Sequence, residues 1–340
     1  MTVGEVYFVQ EFPNLNEKPT KLVKIGLARE EGGSEDRLKQ HQTGNPRQLK
    51  LKHVVLTPAP EWLEGTLHSR LSAHRVRREW FSFEPAELES AVQLAEALAG
   101  ESFQYEPLFE AAEALGSEIS SEQKRPQTEE DKAWLDRLSQ AKVRLDLCSD
   151  LKDLYKSTFK SLDDEVKLAI ETDDLVVTEY AVNKKFDEDA FSLKYPELFR
   201  TYQVSTERMT RSFLPSYKQF EIAEIDAPLN SLANDFIAIC DQVKQGKVSF
   251  SDELTVAFSE VERFAAVYSW DRKIADAYLR VLCGKNGGIE GICSWNRSRK
   301  IVTSLDTELL ETQHPTEFNE FVTVTTTSKT KISKRPRRKF

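Results

Sequence analysis

Cysteine is scarce in this chain, and its placement excludes more than its number does. The four cysteines, Cys148, Cys240, Cys283 and Cys293, form no C-x-x-C pair, so neither a zinc cluster nor a disulfide framework is expected, and they read as reduced core thiols. Glycine and proline, 13 of each, are too few for a disordered or fibrous chain. No stretch approaches the roughly 20 apolar residues of a membrane-spanning helix. The opening MTVGEVYFVQEF lacks the basic and apolar segments of a secretion signal, so a cytoplasmic protein with no membrane contact is expected. What remains is 39% hydrophobic and 30% charged, the composition of a folded protein. Its 340 residues suffice for two domains or for one catalytic unit with a long appendage.

The net charge of -9 excludes a uniformly basic nucleic-acid coat, but it averages over a gradient. Residues 1–82 carry 13 Lys and Arg against 10 Asp and Glu, and the last twelve residues, KTKISKRPRRKF, carry seven basic residues and no acidic one. The acidity therefore lies in between. Such a tail can neutralise phosphates of DNA or RNA, or it can be a solvated terminus.

The first hundred residues alternate strand and helix signals. GEVYFVQ places Val6 and Phe8 on one face and Tyr7 and Val9 on the other, and KLVKIGLA places Val23, Ile25 and Leu27 opposite Lys24 and Gly26. A helix is expected from Ser34 as N-cap, with Glu35 and Asp36 in its first turn and Gly44-Asn45-Pro46 as its stop. LKLKHVVL follows as a strand, then a helix opened by Pro60 with Leu63, Leu67 and Leu71 as its buried stripe. EWFSF and a helix from about Pro85 to Ala99 complete a small antiparallel sheet covered by helices.

Six polar residues in this unit are not needed for packing: Tyr7, Lys24, Arg37, His41, Glu64 and His68. Arg37 and His41 are four apart on one helix, and so are Glu64 and His68 on the next. Together they offer phosphate-binding cations, proton-handling groups and a carboxylate for a hard divalent metal, a set that suits phosphodiester hydrolysis. On spacing alone each pair is equally a surface pair.

The order of these elements and residues resembles the GIY-YIG nuclease superfamily, in particular its T5orf172 or MUG113-like branch. VYF at Val6–Phe8 resembles the first signature and KIG at Lys24–Gly26 the second. DRLKQHQTGNP carries the R-x-x-x-H arrangement, and LEGTLHSRLSAHRVRREWF the E-x-x-x-H helix with its following Glu-Trp-Phe strand. The first signature lacks its Gly and Ile, and Lys24 stands where the second has Tyr. The resemblance covers about residues 3–84. It implies a one-metal hydrolysis of DNA, with Glu64 coordinating Mg²⁺ or Mn²⁺ and His68 orienting Glu64 or touching the metal. Tyr7 would activate water, assisted by Lys24, while Arg37 clamps a phosphate oxygen and His41 handles a second proton or phosphate. Glu79, Trp80 and Phe81 read as a packing edge. Lys39 and Arg75 join Arg37 as expected DNA contacts. A DNA-binding or regulatory module that does not cut is the alternative.

The fold expected is α+β: a small GIY-YIG-like antiparallel sheet flanked by helices in residues 1–100, a short helix and linker in 101–130, a mostly α-helical targeting or association region in 131–325, and a basic tail in 326–340. The apolar spacing from Trp134 to Val166 suits long amphipathic helices, as an arm for homo-oligomers or as an intramolecular core. Further helices are expected at 206–212, 221–245 and 251–281. CGKNGG reads as a turn, and SWNRSRK as an exposed loop or a nucleic-acid contact through Trp295, Arg297, Arg299 and Lys300. FVTVTTTS has strand propensity. FDEDAFSLKYPELFRTY and GIEGICSWNRSRK weakly resemble short segments of YqaJ-like phage exonucleases, which suggests a phage or mobile-element setting.

Overall fold

The computed structural model describes residues 3–13, 18–29, 32–43, 45–167 and 176–332. The expected helix stop at Gly44 and the tail beyond Ile332 fall outside them. The N-terminal part of the chain holds β1 (Gly4–Phe12), β2 (Leu22–Ala28), α1 (Gly33–Gln42), β3 (Gln48–Thr57), α2 (Pro60–Arg70), β4 (Arg75–Arg77), β5 (Trp80–Ser82) and α3 (Pro85–Phe103), followed by α4 (Glu106–Gly116). Its strands form one antiparallel sheet in the order β3-β1-β2-β5-β4.

Period-two alternation decides the two faces. Val6, Phe8, Val23, Ile25 and Phe81 meet Leu63 and Leu67 of α2 and Leu88, Ala91, Ala95 and Leu98 of α3. Tyr7, Val9, Ala28 and Leu49 line the opposite face beneath Leu38 of α1. The start of α1 differs from expectation. Gly32 occupies the cap position at φ 95°, and Ser34 is buried with its N–H donated to the Glu5 carboxylate at 2.6 Å. A carboxylate from β1 thus satisfies an end group that a serine hydroxyl was expected to satisfy.

The rest of the chain holds α5 (Glu129–Lys160), β6 (Val176–Phe186), α6 (Glu188–Lys194), α7 (Pro196–Thr201), β7 (Gln203–Pro215), α8 (Ile222–Ile225), α9 (Ala227–Lys244), a π-helical turn (Phe250–Leu254), α10 (Thr255–Cys283), β8 (Gly288–Ile289), β9 (Cys293–Leu305), α11 (Thr307–Gln313), α12 (Pro315–Asn319) and β10 (Val322–Ile332). Thr128 and Asp131 cap α5 reciprocally. The apolar face of α5, with Leu151, Tyr155 and Phe159, packs on Leu229 and Phe236 of α9 and Phe258 and Val261 of α10, so the expected amphipathic stretch is covered within the chain.

Three local expectations change. Residues 206–212 are not helical but lie inside β7, paired over its full length with β9; cross-strand pairing overrides a weak local preference. SWNRSRK is therefore strand rather than loop. Residues 117–128 are an ordered strap, tied by Ser120 N–H to Arg297 O at 3.0 Å, by Ser121 N–H to Lys285 O at 2.9 Å and by a bidentate Arg125–Asp131 pair at 2.8 and 2.6 Å. At the C-terminal end, β10 carries the strand expected from FVTVTTTS on through Ile332, into the expected tail.

An internal repeat joins the two β-ribbons. Phe186-Asp187, Phe191, Tyr195-Pro196, Phe199 and Tyr202 recur with the same spacing as Leu305-Asp306, Leu310, His314-Pro315, Phe318 and Phe321. Each aspartate caps its helix, accepting from Ala190 N–H and Leu309 N–H at 3.0 Å in both cases. Asp187 N–H donates to Phe321 O at 3.0 Å and Asp306 N–H to Tyr202 O at 2.9 Å. The two copies thus interlock around a shared core of Phe191, Tyr202, Leu305, Leu310 and Phe318.

Candidate active site

Tyr7 projects from β1 onto the α1 face of the sheet, fully buried, and its Oη lies 2.9 Å from Nε2 of the half-buried His41 on α1. Gly26 is the residue paired with Tyr7 across β1 and β2. A Cβ there would sit 2.6 Å from the Tyr7 Oη, so the glycine of KIG is required by close approach of the phenol. Arg37 stands one turn before His41 on the same helix and is half-buried, with Nη1 donating to Gln40 Oε1 at 2.8 Å. Lys24, two residues along β2, is buried and ion-paired with Glu79. Glu79, expected only at a packing edge, thus balances the charge of Lys24. Lys39 is exposed and pairs with Asp36 at 2.8 Å.

Glu64 approaches from the edge of β2. Pairing of β2 with β5 runs from Leu22 to Lys24 and ends with Ile25 N–H donating to Glu79 O at 3.0 Å. Beyond that point α2 fastens to the strand. His68 Nε2 lies 3.0 Å from Ile25 O, and Glu61 pairs with Arg29 just past the strand end. Residues 61, 64 and 68 share a helical stripe, so the half-buried Glu64 lies on α2 between these two anchors. Tyr7 with His41 meets β2 on its α1 face, and α2, the helix that carries Glu64, is fastened to the same strand at Ile25 and to Arg29 just past its end.

His68 is part of this scaffold. Because its partner is a carbonyl, Nε2 carries the hydrogen, and the buried Nδ1 has no hydrogen-bond partner. The ring packs edge-on against Phe81 at 5.0 Å. Burial, reinforced by the nearby positive charge of Arg263, pushes its pKa down to about 3. A neutral imidazole inside an apolar layer is no place for a hydrated cation; the ring instead ties α2 to the Ile25 carbonyl of β2. Among the described residues no group of three or more His, Cys, Asp or Glu side chains could hold a metal ion.

The outlying basic candidates separate. Arg297 is 1% exposed, donates to Leu115 O at 2.6 Å and Gly284 O at 2.7 Å, and stacks 3.9 Å over Trp295. Its expected role at a nucleic-acid surface does not survive that burial. Arg75 is half-buried, donating to His68 O at 2.6 Å and pairing with Glu260. Arg299 and Lys300 are exposed on β9, Arg299 within 3.5 Å of Glu207 and Lys300 directly opposite Arg208.

Residues 4–96 match the T5orf172 domain family. The T5orf172 match spans β1 to the middle of α3 and contains Tyr7, Lys24, Arg37, His41 and Glu64. That family is GIY-YIG-like, and the match supports a nuclease-superfamily role and, at the level of the family, enzymatic potential for the matched residues. Comparison with curated proteins and with solved structures returns no match. Nothing supports the YqaJ-like resemblance of the C-terminal region. No helix among the described residues is long and apolar enough to cross a membrane.

Proposed function

We propose that the T5orf172-like domain is a divalent-metal-dependent DNA endonuclease. The observation that carries this reading is the Tyr7–His41 hydrogen bond of 2.9 Å, braced against Gly26 of β2, the strand to which α2, the helix of Glu64, is tied by His68. A half-buried carboxylate such as Glu64 suits Mg²⁺ or Mn²⁺, which is held by one or two carboxylates and leaves its other positions to water and phosphate. When bound, such an ion supplies Lewis-acid stabilisation of the scissile phosphate and the leaving oxygen. Glu64 would hold it, kept in place by the His68 and Glu61 anchors.

The exposure of the two proton-handling groups orders their roles. Tyr7 is fully buried and His41 is half-buried, so water meets the pair on the His41 side, with Tyr7 behind it fixing the imidazole. The pair accepts the proton that the attacking water releases. Arg37, one turn away, would bind a non-bridging phosphate oxygen with its planar fork. Lys24 stands back from the reaction, with its charge held by Glu79.

Glu64→Gln tests the assignment, since it keeps size and removes the charge that would hold the cation. Wild type and variant are compared on supercoiled, linear and single-stranded DNA with Mg²⁺ or Mn²⁺, and binding is measured on the same substrates. Cleavage by wild type alone, with equal binding by both, is the expected result. Binding by both with cleavage by neither would favour a module that does not cut, and equal cleavage by both would remove Glu64 from the site.

A further inference from the structure

A second concentration of cations lies where the edge of the N-terminal sheet meets α10. Arg75 from β4, Arg78 from the turn that follows it and Arg263 from α10 line a cleft of about 30 Å³ together with one carboxylate, Glu260. Glu260 Oε1 accepts from both Arg75 Nη1 and Arg263 Nη1. Two guanidinium groups thus share one carboxylate beside a third, and the buried Arg75 Nε has no hydrogen-bond partner. The crowding has an electrostatic signature: burial, and next the charge of Arg263, push the Arg75 pKa below its ordinary value.

Arg78 adds an independent observation. At φ 52° it is the one non-glycine residue with positive φ among the described residues. A left-handed turn position is where glycine carries no Cβ penalty and most other residues do. The exposed Arg78 lines this cleft, and Glu260 is shared between the other two arginines.

We propose that this cleft binds a phosphate oxyanion, and that its source is a backbone phosphate of the DNA on which the domain acts. The identity of the source rests on the nuclease reading; the affinity for an oxyanion does not. The cleft lies at the β4 edge of the sheet, three strands from β1, with Arg75 beside Phe81 on the α2 face, so it is a site apart from the Tyr7–His41 pair on the α1 face. It would hold a phosphate other than the scissile one, and it joins α10 to the substrate because Arg263 and Glu260 belong to that helix.

Arg78→Gly is the informative change, because it removes the cation while leaving a residue at ease in the same backbone conformation. Binding of duplex DNA is measured without divalent metal over a series of NaCl concentrations. Loss of one phosphate contact lowers the slope of log affinity against log salt by about 0.9 and weakens binding roughly eightfold at 0.1 M salt. Arg78→Lys should restore most of that slope. Thermal unfolding in sodium phosphate, against sodium chloride at equal ionic strength, reads the oxyanion alone; wild type should be stabilised and Arg78→Gly should not. Unchanged DNA affinity and slope in Arg78→Gly, with phosphate stabilisation equal to that of wild type, would overturn the proposal, and loss of phosphate stabilisation in Arg78→Gly without a change in DNA binding would overturn the DNA source. A wild type that does not cleave with Mg²⁺ or Mn²⁺, combined with a weakened slope in Arg78→Gly, would defeat the nuclease reading and uphold this site.

Discussion

Gly26→Ala puts the geometry of the candidate site to the most direct test. The added Cβ would lie 2.6 Å from Tyr7 Oη, 2.8 Å from Cζ and 3.0 Å from Cε2, closer than non-bonded atoms allow. Gly26 has no positive φ, so steric contact with the phenol, and not backbone strain, decides the outcome. Tyr7 is fully buried between β1 and α1, and its ring must shift or the strands must separate. Overpacking of this kind costs about 1–3 kcal/mol, and loss of the hydrogen bond to His41 adds about 1 kcal/mol. Replacing a strand glycine returns about 0.5–1 kcal/mol. A net destabilisation of about 2 kcal/mol is expected, small enough for the variant to fold. Displacement of Tyr7 and His41 by about 1 Å should lower metal-dependent cleavage on the order of a hundredfold. Urea unfolding and plasmid cleavage, measured on the same preparation, check both numbers. A Gly26→Ala protein as stable and as active as wild type would refute the claim that this glycine braces the Tyr7–His41 pair.

Two other outcomes follow from buried polar groups. An unfolded histidine takes up a proton near pH 6.5, whereas folded His68 resists protonation down to about 3. Stability should therefore fall as pH drops through that window, by about 2 kcal/mol at pH 5. His68→Gln should lose this part of the pH dependence, which is read as the difference between the unfolding free energies of variant and wild type at pH 7 and pH 5. Arg297→Ala removes donors to the carbonyls of Leu115, Gly284 and Asn286 and a stacking partner of Trp295 and should destabilise by about 3 kcal/mol. Arg299→Ala, two residues along on the exposed part of β9, should stay within about 0.5 kcal/mol. Equal effects of the two changes in chemical denaturation would contradict the placement of Arg297.

Much of the N-terminal domain is determined locally and could therefore be read from the chain. Alternation in GEVYFVQ and KLVKIGLA assigns each side chain to a face, and that alone puts Tyr7, Lys24 and Gly26 together opposite Val6, Phe8 and Ile25. The i, i+4 spacing of Arg37 with His41, and of Glu64 with His68, likewise places each pair on one helical stripe. The Asp-x-x-x-Phe/Leu-x-x-x-Tyr/His-Pro repeat was also present in the sequence as a pattern of capped short helices. Its significance depends on the two copies exchanging backbone hydrogen bonds across more than a hundred residues, and so its meaning is tertiary.

Partnership, exposure and charge balance were decided only by the fold. His41 finds Tyr7 because α1 crosses the sheet above it, and Lys24 finds Glu79 because β5 pairs beside β2. His68 became an anchor because β5 ends its pairing at Ile25 and leaves a carbonyl for α2 to cap. Arg297 and Arg299 are alike in sequence and differ by one strand period; the odd positions of β9 turn inward at Trp295 and Arg297 and reach solvent by Arg299, as the ribbon leaves the body of the protein. Local sequence sets which way a side chain leaves the backbone. What it meets there depends on elements distant in the chain, since burial and electrostatic pairing are properties of the packed whole.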